Sequence, residues 1–280
     1  MARHRFAKPA SRKGLVGSTP TLSATTKQRI LQMSEIINAL LIFFIGLATG
    51  FLDSTVGAGG LISVPCLVFL GFPPQIAIAT DRFGTIGQSL TAFLKFSKAK
   101  KIIWEYVPIL AIISLFGSVI GASILLTINP KILQYIVGLL LIILLPVIFL
   151  KQNLGIQRNE ATKTKKMFGL IIYFLIMIYG GFFGQGTGPL IFYTLTYFLG
   201  FTMIEVLATG VIPWFVLSLS SLIIFARNGI IDYRIGIILL IGMAIGGYIG
   251  AHVALKKGNA WVKRLFILLV IISAVKLLFF

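Results

Sequence analysis

The sequence predicts an all-α membrane protein with about eight transmembrane helices in two internally repeated halves, each half holding a glycine-rich broken or re-entrant segment. Three observations lead there. Of 280 residues, 58% are apolar and 11% charged, whereas a soluble domain carries about 25% charged residues. The mean hydropathy is +1.00. A water-soluble fold of this length would lack the charge to cover its surface, which excludes a soluble enzyme. Apolar runs of about 20 residues recur along the chain, long enough to cross a hydrocarbon layer about 30 Å thick. Finally, the chain matches itself without a gap at a shift of 129 residues.

Residues 1–33 form a basic tail that is expected to be disordered. Its first 30 residues hold seven Lys and Arg, no acid, and no apolar stretch long enough for a signal peptide. A basic, acid-free tail with Ser and Thr also resembles an organelle transit peptide. Gly17-Ser18-Thr19-Pro20 can be encoded by GGTTCGACTCC, the T-arm consensus of a transfer-RNA gene, which points instead to a start at Met33.

Spans are expected at about 37–56, 77–97, 104–127 and 132–150 in a first transmembrane repeat, 34–150. A second repeat, 167–280, is expected to hold spans at about 167–183, 206–226, 233–255 and 262–280. Shorter apolar pieces at 61–71 and 189–200 follow glycines and are too short to cross. Lys and Arg near span ends favour the cytoplasmic side. They put three segments there: the N-terminal tail, the Lys95/Lys98/Lys100/Lys101 cluster, and a 151–166 linker with Lys151, Arg158, Lys163, Lys165 and Lys166. The loop at 256–264, with Lys256, Lys257, Lys263 and Arg264, disagrees, because four crossings in the first half would turn it outward. Four crossings per half would make the repeats parallel, and five would invert them.

At the shift of 129, Gly57, Gly59, Leu61 and Ile62 fall on Gly186, Gly188, Leu190 and Ile191, and Phe69-Leu70-Gly71-Phe72 falls on Phe198-Leu199-Gly200-Phe201. Ala79-Thr80 meets Ala208-Thr209, and Gly117, Gly121 and Ala122 meet Gly246, Gly250 and Ala251. Apolar composition produces scattered Leu and Ile matches but not these glycines in one frame, so the chain reads as a two-fold duplication. Repeated membrane spans are a common construction of secondary transporters, which bind substrate near the midplane where the repeats meet.

Two glycine-rich stretches carry the chemistry, one with Asp53, Gly57, Gly59 and Gly60, the other with Gly184, Gln185, Gly186, Thr187, Gly188 and Pro189. A helix that stops there and restarts at Leu61 or Pro189 turns unpaired N–H groups and the positive end of its dipole toward the break, which suits an anion. Backbone of that kind inside a membrane must be buried in protein or line a wet cavity. The competing explanation is close helix packing, the preferred one for Gly117/Gly121 and Gly246/Gly250. Asp53, Asp81 and Arg82 are charges in the apolar zone, where charge is costly; Asp81 could equally cap its helix. Thr80, Gln88 and Thr209 add neutral groups. Glu205 reads as solvated, His252 as structural, and Trp104, Trp214 and Trp261 as interface anchors.

The stretch 57–65, the Gly71-Phe72-Pro73-Pro74 turn, Ala79-Thr80 and their echoes in the second half resemble the TauE/SafE sulfite-exporter family over about residues 36–280. The resemblance implies a multi-span helical permease of the bacterial plasma membrane that exports sulfite, sulfonates or related organosulfur anions. In the branch that this chain resembles, Ala-Thr is commonly followed by Asn-Lys. Here Asp81-Arg82 stands in its place, which keeps a cation and adds an acid.

The expected function is therefore secondary transport of a small anion by alternating access between the repeats, in contact with the lipid bilayer and without nucleic acid or an enzymatic reaction. The anion-binding residues are expected to be Asp53, Gly57, Gly59, Gly60, Gly184, Gln185, Gly186, Thr187 and Gly188 of the two glycine stretches with Thr80, Asp81, Arg82, Gln88 and Thr209. No cofactor is expected. The lone Cys66 excludes an intrachain disulfide, and His4 and His252 are too few for a zinc site. A membrane-embedded enzyme would need a nucleophile and base, and an anion channel would need polar rings along a pore. Neither pattern stands out, though both remain rivals.

Overall fold

The computed structural model describes residues 24–57, 59–128, 155–158 and 161–268. These form two compact units, Met1–Asn38 and Ala39–Phe280; of the first, the described part is the opening of the first helix. Among the described residues the secondary structure is all helical: α1 Ala24–Val56, α2 Gly60–Phe69, α3 Pro74–Lys98, α4 Val107–Thr127, α5 Lys163–Phe182, α6 Thr187–Phe198, α7 Met203–Arg227 and α8 Tyr233–Lys257. Residues 259–268 are helical as well. The span expected at 132–150 and most of that at 262–280 lie outside the described residues.

Among the described residues, five helices are long and apolar enough to cross a membrane: α1 over Glu35–Val56, α4, α5, α7 and α8. At 25 residues α3 is long enough but carries Asp81, Arg82 and several Thr, Gln and Ser residues, which packing against α2, α7 and α8 buries.

Local chemistry sets the helix starts. Thr202 and Glu205 form a reciprocal capping box at α7: Thr202 Oγ1 accepts from Glu205 N, and Glu205 Oε2 accepts from Thr202 N at 2.8 Å. Glu205, read from sequence as solvated, is thus a cap, and it also pairs with Arg158 at 3.9 Å. Asp232 caps α8 by accepting from Ile235 N at 3.1 Å, and Thr162 caps α5. Pro74 opens α3, where a missing N–H costs nothing.

Hydrogen bonds define the two ends of the helix bundle. At one end, Met203 N donates to Gly155 O (2.8 Å), Asn259 Nδ2 to Ile156 O (3.3 Å) and Ile204 N to Asn259 Oδ1 (2.9 Å), which gathers the linker, the start of α7 and the segment after α8. At the far end, Gln75 Nε2 donates to Leu125 O and Ile128 O, joining the start of α3 to the end of α4.

Helix directions follow from close glycine contacts. Gly46 lies against Leu239 and Gly50 against Met243, while Gly246 lies against Leu47 and Gly250 against Phe51, so α1 runs parallel to α8 and enters from the far end. Ile42 accordingly packs with Val64 and Leu67 of the returning α2. The hairpin α5–α6 opens toward the linker end, where Gly169 touches Phe198. As a result α3 and α7 run in opposite directions, as do α4 and α8, and the two short hairpins open at opposite ends. The packing expected for Gly117/Gly121 and Gly246/Gly250 holds, since an added Cβ at Gly121 would strike Ile178 O and one at Gly246 would strike Leu47 O.

These directions alter the expected topology in one place. The 256–264 loop, expected to face away from the linker, is bonded to it through Asn259.

Each half also gives up its last long described helix. α8 packs on α1 and α3, and α4 packs on α5 and α7, so the packed bodies are α1, α2, α3 with α8 and α5, α6, α7 with α4. They meet along α3 and α7.

Candidate functional site

The two glycine breaks meet. An added Cβ at Gly188 would strike Gly57 O, and one at Gly60 would come 2.5 Å from Gln185 Oε1. Gly57, Gly184 and Gly186 take φ of 68°, 82° and 76°, the left-handed region that favours glycine. Both breaks border a cavity of about 80 Å³. On the scale where one water needs about 10–15 Å³, that holds several waters or one small solute.

Of the residues expected from sequence, Asp53, Gly57, Gly60, Asp81, Arg82, Gln88, Gly184, Gln185, Gly186 and Gly188 line this cavity. Gly59, Thr80, Thr187 and Thr209 do not. Gly59 N donates to Asp53 Oδ1 at 3.2 Å, Thr187 Oγ1 donates to Gly184 O, and Thr80 and Thr209 accept backbone N–H groups of Asp232 and Ile103. Helix termini contribute less to the cavity than expected, because a carboxylate caps the start of α2 and the Gly57 carbonyl presses on Gly188 at the start of α6.

Side chains supply the donors instead. Arg82 is 1% exposed. Its Nη2 donates to Gly180 O, its guanidinium lies 5.2 Å from the centre of the Trp214 ring, and its Nε has no hydrogen-bond partner among the described residues. Gly184 is packed so tightly on this guanidinium that any side chain there would collide with it. Gln185 Nε2 and Trp214 Nε1 are likewise buried without a partner. Three residues of the lining therefore each hold an unsatisfied N–H donor, and a buried unpaired donor costs about 1–3 kcal/mol. An acceptor ligand would recover that cost.

Two acids, Asp53 and Asp81, share the lining. Asp81, 3% exposed, has Oδ1 unpartnered. Among the described residues no Asp53 or Asp81 oxygen lies within 4.0 Å of the guanidinium. Gln88 Nε2 donates to Ser54 Oγ at 2.8 Å, tying α3 to α1. Apolar groups, among them Phe96, Ile191, Phe192, Val206 and Val211, complete the wall.

Sequence reasoning missed Trp214, Thr85 and Gly210. The 129-residue register held the signal for Trp214, which pairs with Thr85, a residue one helical turn past Asp81 whose Oγ1 donates to Asp81 O at 2.9 Å. Gly210 takes the register position of Asp81, and an added Cβ there would meet nothing within 4 Å. His252, expected to be a structural histidine, is exposed on α8.

Comparison with known proteins gives a consistent result. A family described as sulfite exporter TauE/SafE matches residues 42–277. A probable membrane transporter protein of Haemophilus influenzae is 25% identical over 239 residues, 85% of this chain and 94% of its own. The probable membrane transporter protein YfcA of Escherichia coli is 26% identical, over 85% of this chain and 88% of its own. ORF9 of a Sinorhizobium species, also named a probable membrane transporter protein, is 27% identical over 85% of this chain and 91% of its own. No solved structure matches the chain.

Proposed function

The chain belongs to the sulfite exporter TauE/SafE family and is a membrane transporter rather than an enzyme, and from that premise we propose that it exports a small anion such as sulfite, a sulfonate or another organosulfur anion. The observation that carries this reading is that Arg82, Gln185 and Trp214, which line one small cavity between the glycine breaks, each hold a buried N–H donor without a partner among the described residues, at Nε, Nε2 and Nε1. Donors held in place in a buried site favour an anion more than the same groups in water would. Gly57, Gly60, Gly184, Gly186 and Gly188 shape the cavity, Gln88 holds α3 to α1, and Asp53 and Asp81 supply its acidic side.

The proposed carrier is an inverted duplication, with repeats at 34–150 and 167–280 joined by a 151–166 linker. Both ends of α3 and α7 lie 129 residues apart, which supports it, and so do their opposite directions. Alternating access then moves the body α1, α2, α3 and α8 against α5, α6, α7 and α4, exposing the cavity first on one side and then on the other. The linker end is the cytoplasmic one in a bacterial plasma membrane. It gathers Lys98, Lys100, Lys101, Arg158, Lys163 and Lys256, the asymmetry that orients membrane proteins. With the inside negative, the membrane potential drives a monoanion outward by about 2.3 kcal/mol per 100 mV.

Proteoliposomes loaded with sulfite, sulfonates or carboxylates test this function. Saturable efflux that Arg82→Ala and Gly210→Leu both abolish supports the carrier. Flux that never saturates identifies a channel, and unchanged flux in both variants moves the site elsewhere.

A further inference from the structure

We infer that the cargo is a small dipolar ion, with an ammonium group facing Asp81 and Asp53 and a sulfonate or carboxylate facing Arg82, Gln185 and Trp214. This rests on the anion reading for one end of the cargo and adds the other end. The cavity lining holds two carboxylates and one guanidinium. Arg82 is engaged by the Gly180 carbonyl and the Trp214 ring and forms no direct ion pair with either carboxylate among the described residues, so one guanidinium at a distance faces two acids. A bare anion would add a further negative charge beside two carboxylates where little water screens them. It would also leave Asp81 Oδ1, buried and unpartnered, without a donor.

An ammonium group supplies that donor. Asp81 and Arg82 are consecutive on α3 and project about 100° apart, so the carboxylate and guanidinium address different parts of one cavity. A molecule with opposite charges at its two ends satisfies both. The cavity volume of about 80 Å³ limits the tether to a few atoms. The second half offers no competing acid, because Gly210 stands at the position matching Asp81.

The test uses the full chain in liposomes and compares exchange of labelled 2-aminoethanesulfonate, 2-hydroxyethanesulfonate and sulfite. The first two have nearly the same shape and differ by the ammonium. Wild type should exchange the amino compound at least about tenfold faster than the hydroxy compound, as expected for a buried charge that loses its partner. In Asp81→Asn the amino compound should slow and the hydroxy compound quicken, bringing the ratio close to one. Asp53→Asn keeps an acceptor for Gly59 N and should shift the ratio the same way, which guards against a folding defect in the first variant. Equal rates in wild type, or a preference that survives both substitutions, overturns the inference. Exchange of sulfite and the hydroxy compound without the amino compound overturns it while the anion reading stands. Exchange of none of the three overturns both.

Discussion

Thr80 and Thr209 stand in reciprocal positions, each accepting a backbone N–H from the opposite half of the chain. Thr80 Oγ1 accepts from Asp232 N at 3.2 Å and Thr209 Oγ1 from Ile103 N at 3.0 Å. The two acceptors lie 129 residues apart in sequence, and so do the two donors. One bond closes the far end of the α3–α8 pair and the other the linker end of the α4–α7 pair. These threonines therefore join the two halves of the chain, away from the cavity.

Replacing either threonine with valine should leave the cavity intact and lower stability slightly. Side-chain hydrogen bonds between membrane helices contribute about 0.6 kcal/mol on average and about 1.7 at most. Thermal melting in detergent should show a small loss for Thr80→Val and for Thr209→Val. The double variant should show their sum, because the sites are distant.

Gly188→Ala should damage the protein far more than Gly210→Ala. The first methyl group would strike the Gly57 carbonyl, while the second meets nothing within 4 Å. Overpacking of this kind costs about 1–3 kcal/mol, so the yield of monodisperse protein should fall for Gly188→Ala and hold for Gly210→Ala. A large side chain at position 210 is a different case: Gly210→Leu should fold and lose transport, because it fills the cavity.

Trp214→Phe keeps a ring beside Arg82 and removes one donor. If Nε1 binds the anionic end of the cargo, KM should rise about tenfold with little change in melting temperature, the size expected for one hydrogen bond to a charged group. Arg82→Lys should be worse, since an ammonium cannot reproduce the planar contact with the ring or the fixed fork of donors. An unaltered KM in both variants would remove these side chains from the site.

The two ends can be told apart in whole cells after Cys66→Ser. A cysteine placed at Asn228 is exposed at the far end and should react with an impermeant maleimide added outside. One at Lys257, exposed near the linker end, should react only after the membrane is opened. The reverse pattern would invert the orientation.

Much of the cavity lining was legible in the sequence because glycine, aspartate and arginine are costly within apolar runs and the 129-residue register marked where the glycines recur. Helix direction was not. Hydropathy has no sense of up or down, and a single miscounted crossing at residues 57–75 turns inverted halves into parallel ones. The basic loop at 256–264 carried the missing information. It conflicted with four crossings in the first half, and Asn259 does bond to the linker at Ile156 O. Trp214 was overlooked because tryptophan is common at membrane surfaces, and only its depth along α7 separates a surface anchor from a cavity wall.

The trade of α4 for α8 has a consequence for biosynthesis. When the first half emerges from the ribosome, the glycine track of α1 at Gly46 and Gly50 has no helix to receive it, because its partner α8 is made last among these eight helices. Until then Asp81 and Arg82 sit on an unsheltered α3, so a chain truncated before Tyr233 should be held by quality control as an incomplete product.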